Sequence, residues 1–162
     1  MLQTQGIHHV TAMTSDAEKI YQFMTEVLGL RLAKKTVNQD DIHTYHLFFT
    51  DALGSPGTDL TFFDFPNSRK RTTGKNSIQT IGLRVKNQDA LAYFKSRFER
   101  LNVTHEDIQT LFDMTILPFQ DFDGQYYMLV SDEGIHVEDQ TQPWHETDIP
   151  EDYRILGLGP IE

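Results

Sequence analysis

The chain repeats its apolar pattern after 71 residues, and this repeat restricts the fold more than any other feature of the sequence. When the segment from Ile7 is laid over the segment from Ile78, apolar residues coincide through a strand, a short loop and a helix, although few residues are identical. Self-similarity at a fixed spacing indicates that one supersecondary unit is used more than once. The coinciding pairs are Val10 with Ile81, Ile20 with Leu91, Phe23 with Phe94, Val27 with Phe98, and Leu30 with Leu101.

The first unit is predicted to open with a strand over residues 7–13. Ser15-Asp16-Ala17-Glu18 has the pattern of a capping box, in which the side chains of Ser15 and Glu18 satisfy free amide groups where a helix starts. Apolar residues at helical spacing follow, and Gly29 is a suitable end for the helix because glycine accepts the left-handed conformation. Further strands are expected at residues 31–37, 44–50 and 58–65.

The second unit is predicted to repeat this order. A strand is expected at residues 77–85, a helix at 89–100, and strands near 106–110, 115–121 and 125–131, with Asp123-Gly124 as a hairpin turn. We therefore expect a first module at residues 1–66, a linker at 67–76, a second module at 77–131, an acidic linker or tail at 132–156, and the start of a possible third module at 157–162.

The composition excludes several classes of partner. The chain has 162 residues, with 24 acidic and 14 basic side chains and a net charge of −10. A chain of this charge is repelled by nucleic acid and by anionic membranes, so we expect neither as a partner. The absence of cysteine removes disulfides and thiolate chemistry, and it favours a cytoplasmic protein. No apolar run approaches the ~18 residues that a membrane-spanning helix requires.

The motif Gly6-Ile7-His8-His9-Val10-Thr11-Ala12 places two histidines in the opening strand. Side chains alternate between the faces of a strand, so His9 and Thr11 are expected on one face and His8 on the other. If the helix covers one face of the sheet, the other face is open. Two such open faces are expected to pair and to leave a cleft for a small ligand.

These features resemble the vicinal oxygen chelate superfamily, which includes glyoxalase I, extradiol ring-cleaving dioxygenases and antibiotic-resistance binding proteins. GIHHVTA, together with the run YHLFFTDALGSPGTDLTFFDFP at residues 45–66, is similar to a branch of ring-cleaving dioxygenases that act on hydroquinones and quinones. The resemblance implies an α+β fold in which two tandem βαβββ modules form a paired curved mixed sheet. Members of that branch have about twice this length and four modules, so the chain resembles their N-terminal half.

The resemblance also implies a metal site. The metal-binding histidine of the family matches His9, and a site of two histidines and one carboxylate suits Fe(II) or Mn(II). Thr11, His8 and His46 are candidate catalytic residues beside the metal. The positions that match further ligands hold Thr80 and Met128 in the second module, and Thr61 and Phe62 in the first. The site is therefore expected to be incomplete in this chain, and Asp59 and Asp64 are acid candidates by position alone.

Three functions remain open from the sequence. The first is the N-terminal portion of an Fe(II)-dependent extradiol-type dioxygenase that acts on hydroquinone-like or catechol-like aromatics. In that case this chain alone would be inactive. The second is a metal-free binding protein for an aromatic, a quinone or a drug, and the third is a glyoxalase-type isomerase or thiol transferase. A homodimer, or a missing C-terminal half, is expected to complete the cleft. The other histidines, for which no role is predicted, are His43, His105, His136 and His145.

Overall fold

The computed structural model describes residues 6–66, 68, 72, 74, 77–134 and 141–162. The predicted linker at 67–76 lies largely outside these residues, with its basic side chains Arg69, Lys70, Arg71 and Lys75, and so does His136. The strands are β1 (His9–Thr14), β2 (Arg31–Val37), β3 (Tyr45–Thr50), β4 (Asp59–Asp64), β5 (Thr80–Val85), β6 (Gln109–Leu111), β7 (Met114–Gln120), β8 (Tyr126–Ser131) and β9 (Gly157–Ile161). The helices are α1 (Ala17–Gln22), which continues as a π-helical segment (Phe23–Val27), and α2 (Gln88–Leu101), with a 3-10 turn at Glu151–Tyr153.

The first unit forms a four-stranded mixed sheet in the order β1-β4-β3-β2. β1 runs parallel to β4, and the other neighbours are antiparallel. β1 begins at His9, two residues later than predicted, and the carbonyl of His8 just before it accepts a hydrogen bond from the Gly57 amide in the loop before β4. β1 is thus an edge strand of this sheet.

The start of α1 differs from the predicted capping box. Asp16 caps the helix, and its carboxylate accepts hydrogen bonds from the amides of Glu18 and Lys19. The backbone amide and hydroxyl of Ser15 instead donate to the carboxylate of Asp123, at distances of 2.9 and 2.5 Å. A partner from the second unit therefore displaced the local cap that the sequence suggested.

The second unit forms a five-stranded sheet in the order β6-β7-β8-β5-β9. β5 is parallel to β8 in the same register pattern that relates β1 to β4, which confirms the repeat. The segment predicted to open a third module forms β9, which lies antiparallel along the other side of β5. Gly82 permits this approach, since a Cβ atom there would lie 2.4 Å from the carbonyl oxygen of Pro160.

One hydrophobic core joins the two units. Phe23, from the helix of the first unit, packs against Phe119 and Tyr127 on the second sheet, with ring centroids 6.3 and 6.4 Å apart. The helix-bearing sides of the two sheets therefore meet inside the molecule.

Arg97 connects both helices and the C-terminal segment. It is 3% exposed, and its guanidinium donates to the carbonyls of Glu26 and Val27 at 2.6 and 2.9 Å. It also pairs with both carboxylate oxygens of Asp148 at 2.6 and 2.8 Å and contacts the hydroxyl of Tyr93. A single buried cation thereby holds the end of the π-helical segment against α2.

The β6–β7 hairpin turns through two residues with left-handed backbone. Phe112 and Asp113 have φ angles of 47° and 63°, and the Phe112 side chain is 83% exposed. Such turns favour asparagine and glycine, so an aromatic residue at this position is unusual.

Within the described residues, no helix has the length and apolarity needed to cross a bilayer.

Candidate functional site

The candidate site lies on the face of the first sheet that carries no helix, here called the open face. Along β1, Val10 and Thr14 are buried toward the core, whereas His9, Thr11 and Met13 are exposed on the opposite side. The alternation expected for a strand therefore places His9 and Thr11 on one face, as the sequence predicted. The open face comprises His9, Thr11 and Met13 of β1, Asp59, Thr61 and Phe63 of β4, His46 and Phe48 of β3, and Lys34 of β2.

The strand register fixes which of these side chains are neighbours. His9 is paired with Asp59, Thr11 with Thr61, and Met13 with Phe63. On the far side of β4, Phe48 is opposite Thr61 and His46 is opposite Phe63. The polar and aromatic groups thus form rows across the sheet, with the histidine and the aspartate at one end.

His8 and His9 contact each other, contrary to the expectation that they occupy opposite faces. Their Nδ1 atoms are 3.3 Å apart, and the rings meet edge to face with centroids 5.5 Å apart. The alternation rule does not extend to His8, because β1 begins only at His9. In this contact one ring donates its Nδ1 proton to the other, so each ring restricts the tautomer of its neighbour.

Thr11 belongs to a chain of hydroxyl groups. The buried Thr61 hydroxyl donates to the Thr11 hydroxyl oxygen at 2.9 Å, and Thr11 itself is exposed. Because the Thr11 oxygen is already an acceptor in this contact, its own proton can be donated to a ligand over the sheet. The predicted residue Thr11 is therefore oriented by a partner that the sequence did not identify.

His46 lies in an aromatic environment on β3. Its ring is 4.1 Å from the Phe48 ring and 4.0 Å from the Phe63 ring, measured between centroids, and the ammonium of Lys34 lies 5.8 Å from the Phe48 centroid. Burial lowers the pKa of His46, which the attraction of Asp59 partly opposes. His46 is thus neutral at neutral pH, and its buried Nε2 atom has no hydrogen-bond partner among the described residues.

Asp59 is the open-face residue that sequence reasoning undervalued. Its Oδ1 atom is buried without a hydrogen-bond partner in the part of the chain that the structure describes. Burial raises the pKa of Asp59, and the nearby imidazoles of His9, His8 and His46 oppose that rise. The signal that could have found it is the pairing of β1 with β4, which places Asp59 beside His9.

The donor atoms on the open face fit part of a metal site. No group of three histidine or carboxylate side chains within the described residues is arranged to hold a metal ion. His9 and Asp59 nevertheless form a neighbouring nitrogen and oxygen pair, and the orphaned carboxylate oxygen is suited to a cation. At the equivalent positions of the second sheet stand Thr80 and Tyr126, so that sheet has no comparable pair.

A cavity of about 380 Å³ runs along the free edge of β1. Thr11, Met13 and Phe63 line it from the first unit, and Ile78 and Gln125 line it from the second. Cavities that hold small organic ligands have volumes of roughly 300–1,000 Å³. The cavity next to the open face can therefore accommodate one small aromatic molecule.

The family profile and the similar proteins that match this chain all belong to the same group of proteins. Residues 6–129 match the profile of the Glyoxalase/Bleomycin resistance protein/Dioxygenase superfamily. A Bacillus subtilis (strain 168) protein named as a ring-cleaving dioxygenase, MhqA, is 46% identical over 99% of this chain and 50% of its own length. The chlorohydroquinone/hydroquinone 1,2-dioxygenase of Sphingobium indicum is 28% identical over 96% of this chain and 48% of its own length.

A solved structure supports the same relationship. The crystal structure of a protein described as a dioxygenase from Bacillus subtilis superposes with a TM-score of 0.87 at 33% identity. It covers 98% of this chain, which in turn covers 49% of that protein. The chain thus spans about half the length of the curated relatives it matches.

Proposed function

The chain belongs to the Glyoxalase/Bleomycin resistance protein/Dioxygenase superfamily, and from that premise we propose that it is part of an Fe(II)-dependent ring-cleaving dioxygenase. Its substrate would be a hydroquinone-like or catechol-like aromatic, and its location the cytoplasm. The observation that carries the proposal is His9, exposed on the open face at the start of β1, the strand whose Thr11 and Met13 line a cavity of about 380 Å³. The names of the relatives support the type of reaction.

The residues of the open face have separate roles in this proposal. His9 holds the metal, which would supply a Lewis acid for a phenolic oxygen and an open position for O₂. His8 restricts the tautomer of His9 through their Nδ1 contact. Thr11 donates its hydroxyl proton to the bound aromatic, because its oxygen already accepts from Thr61.

His46 acts further along the same face. Its ring, which lies against the rings of Phe48 and Phe63, gives the aromatic substrate an aromatic floor. Because burial keeps this imidazole neutral, it can accept a proton from a phenolic hydroxyl group. The aromatic rings around it favour a flat ligand.

The remaining donors would come from another unit placed along the edge of β1. In the second sheet, the corresponding strand β5 already has β9 on its outer side, whereas β1 is an edge strand in the described residues. An exposed edge carries unpaired amide and carbonyl groups that another strand can pair with. We assign this place to a second copy of the chain or to the further half that the relatives contain.

A metal-free binding protein is the second candidate. The observation that favours it is that the described residues contain no group of three metal donors, although they contain an aromatic floor and a cavity. Such a protein would hold an aromatic or quinone molecule without converting it. The two candidates differ in whether ligand binding depends on metal.

The deciding experiment uses the protein encoded by the complete reading frame that contains this chain. It would be purified anaerobically with Fe(II), and metal content and hydroquinone-dependent O₂ uptake would be measured. We expect stoichiometric iron and a ring-opened product with both oxygen atoms incorporated. His9→Ala should abolish O₂ uptake, whereas His43→Ala, which removes an exposed loop histidine, should not. Aromatic binding without metal or turnover would establish the second candidate instead.

A further inference from the structure

We infer that Lys34 binds a carboxylate substituent on the aromatic ligand of the open face, at the end of the ring remote from its hydroxyl groups. The ligand class would then be dihydroxy-aromatic acids rather than uncharged hydroquinones or catechols. The inference rests on the proposed function, since it takes an aromatic ligand on the open face as given. Lys34 lies on β2, which is the strand of the first sheet farthest from β1.

A β-bulge turns the Lys34 side chain onto the open face. Leu32 is paired with the core residue Phe49, whereas Lys34 is paired with Phe48 of the open face. Residues that are two positions apart in a regular strand share a face, but the extra residue Ala33 reverses this alternation. Bulges are frequent beside functional sites, where they redirect a side chain. The bulge therefore places the lysine opposite an aromatic ring of the open face.

Lys34 ends a row of side chains that crosses the whole first sheet. Thr11 is paired with Thr61 across β1 and β4. Phe48 is opposite Thr61 on one side and Lys34 on the other. Neighbouring strands are about 4.8 Å apart, so the outer strands of this row are separated by about 14 Å. Because the side chains at both ends reach inward, the remaining space is comparable with one substituted benzene ring.

The ammonium of Lys34 has an aromatic neighbour but no counter-ion in the described part of the chain. It lies 5.8 Å from the centroid of the Phe48 ring and takes part in none of the ion pairs there. Arg31, at the start of the same strand, instead donates to the Ala52 carbonyl at 2.6 Å and lies over the Trp144 ring. Of these two cations, Lys34 is the one whose charge is available to a ligand.

The charge of Lys34 acts on the aromatic floor of the open face. Burial is the main cause of the lowered pKa of His46, and the positive charge of Lys34 lowers that pKa further. A flat ligand on this floor, with its hydroxyl groups toward Thr11, has its opposite end toward Lys34. An anionic oxygen at that end would accept a charge-assisted hydrogen bond from the ammonium.

Lys35 provides a matched control on the same strand. It is exposed, as Lys34 is, and it is paired with the core residue Leu47, so it belongs to the opposite face. Its ammonium also has an aromatic neighbour, the Tyr45 ring, at 4.0 Å from the centroid. Lys34→Met and Lys35→Met thus remove the same charge from adjacent positions, and only the first removes the inferred contact.

The test compares 3,4-dihydroxybenzoate with 3,4-dihydroxybenzamide, which have nearly the same shape and differ in charge. In both compounds the third substituent is too far from the hydroxyl groups to chelate a metal together with them. Isothermal titration calorimetry under nitrogen gives their affinities for the Fe(II)-loaded protein from the complete reading frame. We expect the wild type to prefer the benzoate about tenfold, since a charge-assisted hydrogen bond has about that effect. Lys34→Met should lose this preference, and Lys35→Met should keep it; thermal melting shows whether each variant is folded.

The outcomes separate this inference from the proposed function. If Lys34→Met still prefers the benzoate, or if both lysine variants lose the preference, the role of Lys34 is refuted. A wild type that binds the two compounds equally, or binds neither, refutes it as well. Hydroquinone-dependent O₂ uptake without a preference that depends on Lys34 supports the dioxygenase and rejects this inference. The preference without O₂ uptake, present also in protein stripped of metal, supports the role of Lys34 and rejects the dioxygenase.

Discussion

Replacing Arg97 by methionine should lower the free energy of unfolding by about 4 kcal/mol. The guanidinium is 3% exposed and donates to the backbone carbonyls of Glu26 and Val27. Methionine keeps much of the apolar volume but leaves both carbonyls without these donors. Each hydrogen bond of this kind is worth roughly 1.5–3 kcal/mol when the donor is charged, so two of them account for about 4 kcal/mol.

The ion pair with Asp148 contributes little to that figure. The Asp148 side chain is 67% exposed, so its carboxylate keeps most of its hydration when the pair is broken. Pairs with an exposed partner contribute about 0–1 kcal/mol. Asp148→Asn is therefore the matched variant, since it removes the charge of the pair and leaves Arg97 on the two carbonyls.

Urea-induced unfolding provides the measurement. The single tryptophan, Trp144, supplies a fluorescence signal from the C-terminal segment, and circular dichroism reports the helices and sheets. In a chain of this size, 4 kcal/mol corresponds to a fall of about 12 °C in the melting temperature. A loss below 1.5 kcal/mol for Arg97→Met, or an equal loss for Asp148→Asn, would refute the assignment of the stabilisation to the backbone carbonyls.

Three further predictions follow from single residues. Burial raises the pKa of Asp121 from 3.8 to about 6, so the folded state favours the protonated carboxyl group. The contribution of this protonated group to the free energy of unfolding is complete below about pH 4 and is lost as the pH rises through 6. Asp121→Asn should remove a decline of about 3 kcal/mol from the pH dependence of the unfolding free energy over that interval, measured as the difference from wild type. Gly82→Ala should force β9 away from β5, because its Cβ would lie 2.4 Å from the Pro160 oxygen; amide exchange of Glu162 should accelerate while exchange in β7 stays unchanged. Phe112→Asn should raise stability by about 1 kcal/mol in urea unfolding, since asparagine tolerates the left-handed backbone of this exposed turn better than phenylalanine; a loss of stability would show that the ring has a packing role.

The sequence predicted those features that depend on local periodicity. The repeat placed a strand, a helix and three strands in each unit, and the structure contains them in that order. The placement of His9 and Thr11 on one face followed from alternation along β1, because Val10 and Thr14 face the core. The family and the fold class predicted from GIHHVTA and from residues 45–66 are confirmed by the relatives.

Features that depend on contacts between distant segments could not be predicted in this way. Asp59 becomes a neighbour of His9 only through the register of β1 and β4. Ser15 lost its expected capping role to Asp123, a residue 108 positions later in the chain. The roles of His8, Thr11 and His46 stay predictions, since geometry alone does not test them.

The shared core has a consequence for how such a chain can be divided. Phe23 of the first unit completes the interior of the second, and Arg97 of the second unit holds the last helical turn of the first. Each unit would therefore expose apolar surface if it were expressed without the other. A chimera that joins either unit to a foreign partner would have to recreate these two contacts. The two units are therefore expected to be exchanged between proteins only together.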